Sequence, residues 1–298
     1  MKRSSTVALL LAGFLAADCG TTATTEPTTT ATSVTTSTLI FTSTVTGSPV
    51  PGASVVVAGT AYTTGADGTI ALSTPAVVTA TIDASRAGFL DRITTFRAQS
   101  TITLWEIPTG ADAAFVRQLA YNRAGTPETL WRPTATTLYL QLTGELATDP
   151  QVRAAHVQAA AMATAMTGAR VTMQLGGPAS GTGVFTLLLN ASNPGSATTY
   201  LTQTRGAIQG GRLEYSNISA ARTTRVVLHE LGHMLGFGHA PYGLMCPSAC
   251  GVDNFSPLEQ AVFVSMWQRT PGTAAPDNDR VSTASSEAGP AVFNCDIR

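Results

Sequence analysis

Three of the four histidines in this chain fall within one stretch of eleven residues, together with Glu230 and Gly236. His229 and His233 are four residues apart, so in a helix both imidazoles project from one face and can bind the same metal ion. Glu230 lies beside His229 around that helix and can reach a water on the ion without being a ligand. Gly236 can take the left-handed conformation that ends the helix sharply and returns His239 to the ion.

This spacing predicts a catalytic zinc site, because three histidine ligands leave a fourth position open for water. Zinc lowers the pKa of such a water to about 7 and polarises a carbonyl group. Glu230 is then the general base, which takes up the proton and passes it to the leaving amine. A histidine pair at this spacing can also be an ordinary helix surface, but the glutamate and the glycine favour the zinc site. The fourth histidine, His156, is expected to be exposed on an earlier helix.

The residues around the window predict an α+β domain over residues 108–298, built on a twisted sheet. Asp149 and Pro150 begin one helix as N-cap and first residue, and Ser256–Glu259 is a capping box before the last helix. Alternating or continuous apolar runs predict the strands. The predicted strands are 138–142, 171–175, 185–189 and 212–216, and the predicted helices are 150–166, 219–235 and 257–268.

Residues 38–107 predict a small all-β sandwich. Short apolar runs there are separated by turn sequences such as Pro51-Gly52 and Asp67-Gly68. The predicted strands are 39–41, 55–57, 70–72, 77–82 and 102–105.

The first residues are typical of an exported protein. Residues 1–18 resemble a signal peptide, in which a basic start precedes the apolar run Val7–Ala17, too short to span a bilayer. Cys19 is either a lipidation site or part of a freely secreted chain, because Asp18 departs from the lipoprotein pattern. Residues 19–37, rich in Thr, Ala and Ser, predict a flexible tether. We therefore expect an extracellular or surface-held bacterial protein, attached to a membrane through an N-terminal lipid if at all.

Cysteines in an exported chain predict disulfides. Cys246 with Cys250, or either of them with Cys295, are the candidate pairs. Cys246 as a fourth zinc ligand is disfavoured, since a thiolate would close the site. Asp253 and Asn254 are too weak a signal to assign a calcium site.

The segment from His229 to Pro247 resembles the metzincin metallopeptidases, whose signature is H-E-x-x-H-x-x-G-x-x-H followed by a Met-turn. Gly243-Leu244-Met245-Cys246-Pro247 is the candidate Met-turn, and its Met-x-Pro form is most similar to the matrixin branch. The resemblance implies that Met245 forms an apolar floor beneath the zinc without binding it. It also implies a cleft in which an extended peptide adds to an edge strand of the sheet, and it leaves structural calcium open.

Residues 47–55, 64–68 and 87–89 resemble the carboxypeptidase regulatory-like sandwich domain. That resemblance implies a role in spacing or adhesion rather than in chemistry.

These patterns favour a monomeric zinc-dependent endopeptidase that acts on extracellular protein or peptide. A net charge of −1 with 12% charged residues argues against nucleic acid as a partner, since phosphate binding needs a clustered basic surface. One alternative is a surface adhesion protein in which the sandwich binds and the second domain is a scaffold. Another is hydrolysis of an amide in cell-wall material by the same chemistry.

Overall fold

A computed structural model describes residues 38–73, 80–96, 101–122, 128–247, 250–279 and 291–295. The predicted signal peptide, Cys19 and the predicted tether lie outside the described residues. All described residues belong to one compact unit. Within them, no helix is long and apolar enough to cross a membrane.

The first part of this unit is a sandwich of two small sheets. Its strands are β1 (Thr38–Ser43), β2 (Ser54–Val57), β3 (Thr60–Thr63), β4 (Thr69–Ala71), β5 (Thr81–Ser85), β6 (Arg92–Thr95) and β7 (Thr101–Leu104). One sheet has the order β4-β1-β7 and the other has the order β3-β2-β5-β6. Both sheets contribute to one apolar core, in which Phe41, Val55 and Ile82 are buried.

Two strands of the sandwich have no counterpart in the sequence prediction. Strand β3 is mostly exposed and therefore lacks the period of two that marks a half-buried strand. In β6 the buried side chains are those of Arg92 and Thr94, so its inward face is polar. The predicted strand 77–82 meets β5 only at its end, and residues 74–79 lie outside the described residues.

A seven-stranded mixed sheet forms the frame of the second part. The remaining strands are β8 (Tyr121–Asn122), β9 (Thr129–Leu130), β10 (Arg132–Pro133), β11 (Thr137–Leu142), β12 (Thr172–Leu175), β13 (Val184–Leu189), β14 (Ala197–Thr204), β15 (Ala207–Tyr215) and β16 (Ala291–Cys295). The sheet has the order β12-β11-β13-β15-β14-β16, and β10 also pairs with β15. Neighbours from β12 to β15 are parallel, whereas β14 is antiparallel to both β15 and β16. Strands β8 and β9 form a separate pair.

Six helices lie within the described residues, and the fold is α+β as predicted. They are α1 (Ala113–Ala120), α2 (Glu145–Thr148), α3 (Pro150–Met166), α4 (Ile218–Arg222), α5 (Thr224–Met234) and α6 (Pro257–Trp267). The Asp149 side chain caps α3 by accepting from two backbone N–H groups, and Ser256 with Glu259 forms the predicted capping box of α6. The single helix predicted over 219–235 is wrong. Thr223 is extended at φ −90° and ψ 105°, which divides that segment into α4 and α5.

His156 is buried, not exposed as its place on a helix surface had suggested. Its Nδ1 donates to the carbonyl of Val152 at 2.8 Å, one turn earlier in α3. Its Nε2 lies 2.9 Å from the hydroxyl of Tyr215. Since a carbonyl only accepts, Nδ1 carries the proton and Nε2 accepts from the tyrosine. Through these two hydrogen bonds, His156 connects α3 to the end of β15.

Acidification is expected to destabilise the metal-free protein through His156. Burial lowers the pKa of His156 from 6.5 to about 4. The unfolded chain takes up this proton as the pH falls below 6.5, while the folded chain does so only near pH 4. The stabilisation is therefore complete above the unfolded pKa and is lost as the pH falls, by about 2 kcal/mol at about pH 5. Urea unfolding of the parent and of His156→Gln at about pH 7.5 and about pH 5 measures it. A pH dependence equal in both proteins would contradict the prediction.

A buried ionic network joins the sandwich to the second part. The Asp277 carboxylate accepts from Arg92 on β6 at 2.7 Å and from Arg269, just after α6, at 2.7 and 2.8 Å. Arg269 also donates to the side chain and carbonyl of Thr103 on β7. Asp279 forms a second ion pair with Arg92. Burial alone would lower the pKa of Arg92, but the two carboxylates outweigh it and raise that pKa.

The two parts also share apolar contacts. Leu90 and Trp105 lie within the first part of the chain but belong to the large core beneath the mixed sheet. The Trp105 ring lies 6.0 Å from that of Tyr121, which follows α1. The sandwich therefore packs on the second part through both an apolar and an ionic contact.

Candidate metal centre

The three histidines of the window converge on one point. His229 and His233 project from the same face of α5, and His239 comes from the loop that follows it. One ring nitrogen from each lies within 4.8 Å of the other two. A tetrahedral zinc ion with Zn–N bonds of about 2.0–2.1 Å needs nitrogens about 3.3 Å apart, so small side-chain rotations suffice to close the site.

The hydrogen bonds of two histidines in the triad define their tautomers. His229 Nδ1 lies 2.7 Å from the carbonyl of Leu244, and His233 Nδ1 lies 2.8 Å from that of Phe237. Because a carbonyl only accepts, both Nδ1 atoms carry hydrogen and both Nε2 atoms keep their lone pairs. This backbone support of the second ring nitrogen is the arrangement that zinc-binding histidines use.

The triad is also held in its neutral form. Burial lowers the pKa of His229 to about 3, lowers that of His233 well below its usual value, and lowers that of His239. Neutral imidazole is the form that binds a metal, so protons do not compete for the site at neutral pH. The donor set thus fits zinc in atom type, number and protonation state.

The turn after α5 can be made only by glycine. Gly236 has φ +101°, and a Cβ on it would lie 1.9 Å from the carbonyl oxygen of Trp131. The positive φ agrees with the sequence prediction, but the close backbone approach to Trp131 could not be read from the sequence. The chain is thereby turned so that His239 faces the two histidines on α5.

Met245 lies fully buried against the helix that carries the triad. A Cβ on Gly232 would lie 2.3 Å from the sulfur of Met245, so the thioether packs directly against the backbone of α5. The Met245 N–H donates to Glu259 Oε1 at 2.9 Å. The other oxygen of Glu259 accepts from the backbone and hydroxyl of Ser256. One buried carboxylate therefore caps α6 and fixes the backbone at Met245, a role that the capping-box signal alone did not predict.

Glu230 is buried beside the triad and is held by a residue of the sheet. The hydroxyl of Thr199, on β14, donates to Glu230 Oε2 at 2.5 Å. Burial, followed by the negative charge of Glu230, raises the pKa of the nearby Tyr215 well above its usual value, so that phenol stays neutral. Thr199 is a positioning residue that the sequence analysis missed, because nothing in the sequence pairs it with Glu230.

The structure pairs two of the candidate cysteines and places the candidate calcium residue Asp253 on the surface. Cys246 and Cys250 form a disulfide with their Cα atoms 6.0 Å apart, so Cys246 is not a thiolate ligand. Cys295 lies at the end of β16, opposite Ala197. Asp253 is exposed and, within the described ranges, belongs to no group of three metal-binding side chains.

No protein-family model matches this chain, and the comparison with curated proteins finds no match.

Proposed function

We propose that this chain is a zinc-dependent endopeptidase with a metzincin-like fold. The observation that carries the proposal is the neutral triad His229, His233 and His239 with the buried carboxylate of Glu230 beside it. The antiparallel strand β14 next to the triad helix and the buried turn at Met245 support the metzincin resemblance. A bound zinc ion would supply Lewis-acid polarisation of a peptide carbonyl and a more acidic water.

The residues of the chain divide the remaining work. Glu230 lies one residue from a ligand, where it can take a proton from water and deliver it to the leaving amine. Thr199 fixes one oxygen of Glu230 through its hydrogen bond. The Leu244 and Phe237 carbonyls orient the imidazoles, so the donor atoms are preorganised before any ion binds. A scaffold without chemistry has no use for a buried carboxylate in this position, because burying it costs free energy.

We also propose that the protein works outside the cytoplasm. The Cys246–Cys250 disulfide supports this, since disulfides persist in oxidising compartments.

Metal removal tests the proposed function. The full chain is expected to bind about one zinc ion and to hydrolyse an unfolded protein such as reduced casein. Hydrolysis should disappear on chelation with 1,10-phenanthroline and return with zinc but not with magnesium, because three imidazoles suit zinc. A chain that binds one zinc ion and cleaves neither proteins nor peptide libraries would overturn the endopeptidase proposal. A chain that binds no zinc would overturn the metal centre itself.

A further inference from the structure

Strand β16 covers the side of β14 that lies nearest the triad. Five residues of β16 pair antiparallel with β14, from Ala291 opposite Leu201 to Cys295 opposite Ala197. The other side of β14 is paired with β15. Any extended peptide that hydrogen-bonds to β14 beside the triad must therefore take the place of β16.

Phe293 brings β16 directly onto the candidate site. Its ring stacks on the imidazole of His233, with centroids 4.3 Å apart and planes 12° from parallel. The ring of His239 lies 6.2 Å away. The residue opposite Phe293 in the register is Thr199, which holds Glu230. Strand β16 thus passes over His233, a proposed zinc ligand, and beside Thr199, which holds the proposed base Glu230.

The neighbouring side chain shows that this contact belongs to one face of β16. Val292 is 49% exposed, whereas Phe293 is partly buried against the large core. Alternate residues of a strand point to opposite faces, so Phe293 faces the triad and Val292 faces water. An apolar side chain that packs on the triad, carried by a short strand that pairs with β14, has the form of a bound peptide ligand.

We propose that β16 is an intramolecular ligand of the peptide cleft, and that it competes with extended peptides carrying a large apolar side chain at the position of Phe293. Only the interpretation of this competition as self-inhibition rests on the proposed function. The competition itself is a property of peptide binding. The occupant of the site is a segment of this chain, held close by the covalent connection and therefore at high effective concentration. Peptides in solution gain access only to the fraction of molecules in which β16 has left β14.

Binding of a peptide probe tests the competition without zinc or hydrolysis. The probe is acetyl-Ala-Val-Phe-Asn-Ser-amide with a fluorophore, in which serine replaces cysteine so that no thiol can bind a metal. The metal-free full chain with Phe293→Ala should bind it about tenfold to a hundredfold more tightly than the parent, because the self-ligand loses its buried ring. Val292→Ala is the matched control and should bind like the parent. On the Phe293→Ala chain, a probe with Ala in place of Phe should bind more weakly than the Phe probe by a similar factor.

A second variant keeps the test independent of that single substitution. Phe293→Pro removes the ring and a backbone N–H, and should speed hydrogen exchange of the β14 amides while leaving the circular dichroism of the chain unchanged. Equal probe affinity for the parent and Phe293→Ala, or unchanged exchange in Phe293→Pro, would overturn the inference. With zinc present, both variants should also hydrolyse peptides faster than the parent. If probe binding rises but no protein cleaves any substrate, the proposed function fails and the self-ligand stands.

Discussion

Replacing Glu230 by glutamine is expected to lower kcat/KM for a peptide substrate by about 10²–10⁴-fold while zinc remains bound. Glutamine keeps the shape of the side chain and can still accept from Thr199, but its amide cannot take up the proton that the water must lose. The three imidazoles and the backbone partners of His229 and His233 are untouched, so the metal affinity of the triad should change little. Zinc content by mass spectrometry and steady-state kinetics of the parent and the variant measure the two effects separately.

Two further variants make this result specific to Glu230. Glu145→Gln, at the exposed start of α2, removes a carboxylate without touching the site and should leave kcat/KM unchanged. Thr199→Val removes the hydroxyl that positions Glu230. It should therefore lower kcat and shift the acidic limb of the pH–rate profile, while KM changes little. Retention of full activity by Glu230→Gln with zinc bound would show that another group is the base.

Replacing Asp277 by asparagine is expected to lower the free energy of unfolding by about 3–5 kcal/mol. Asp277 is fully buried and forms ion pairs with both Arg92 and Arg269, which are themselves almost inaccessible to solvent. Asparagine has nearly the same size, but it leaves the two guanidinium groups with less negative charge than they need. Breaking a buried ion pair from one side is costly because the remaining charge cannot recover its hydration. Urea unfolding followed by circular dichroism measures the loss.

Asp279→Asn is the matched control for the network. Asp279 also pairs with Arg92, but its side chain retains 23% of its exposure, so water can replace part of the lost interaction. Its substitution should cost less than half as much as that of Asp277. Comparable losses in the two variants, or no loss in Asp277→Asn, would show that the buried network does not determine stability.

The triad could be predicted from the sequence because its geometry is local. The separation of His229 from His233 and the glycine at 236 fix their relation within a single helix and turn, whatever the rest of the fold. The caps of α3 and α6 are local for the same reason. The family resemblance adds roles for Met245 and the cleft, and these roles stay predictions.

The partners contributed by distant segments could not be predicted. Thr199 reaches Glu230 only because β14 pairs with β15 in a particular register, and sequence periodicity does not specify which strands become neighbours. The pairing of β16 with β14 joins residues far apart in the chain, and Phe293 by itself looks like one more apolar residue. The prediction for His156 failed for a related reason, since polar residues are assigned to the surface unless their partners are known.

The contacts of Leu90 and Trp105 with the larger core limit how this chain could have been assembled by recombination. A gene fragment that encodes residues 108–298 alone would leave Tyr121 without its aromatic neighbour and would separate Arg269 from Thr103. The same break would remove Arg92 from Asp277. The sandwich is therefore not a portable module that can be exchanged for another of similar fold. Homologous chains should inherit the two parts as a pair, with substitutions at one side of this interface matched by substitutions at the other.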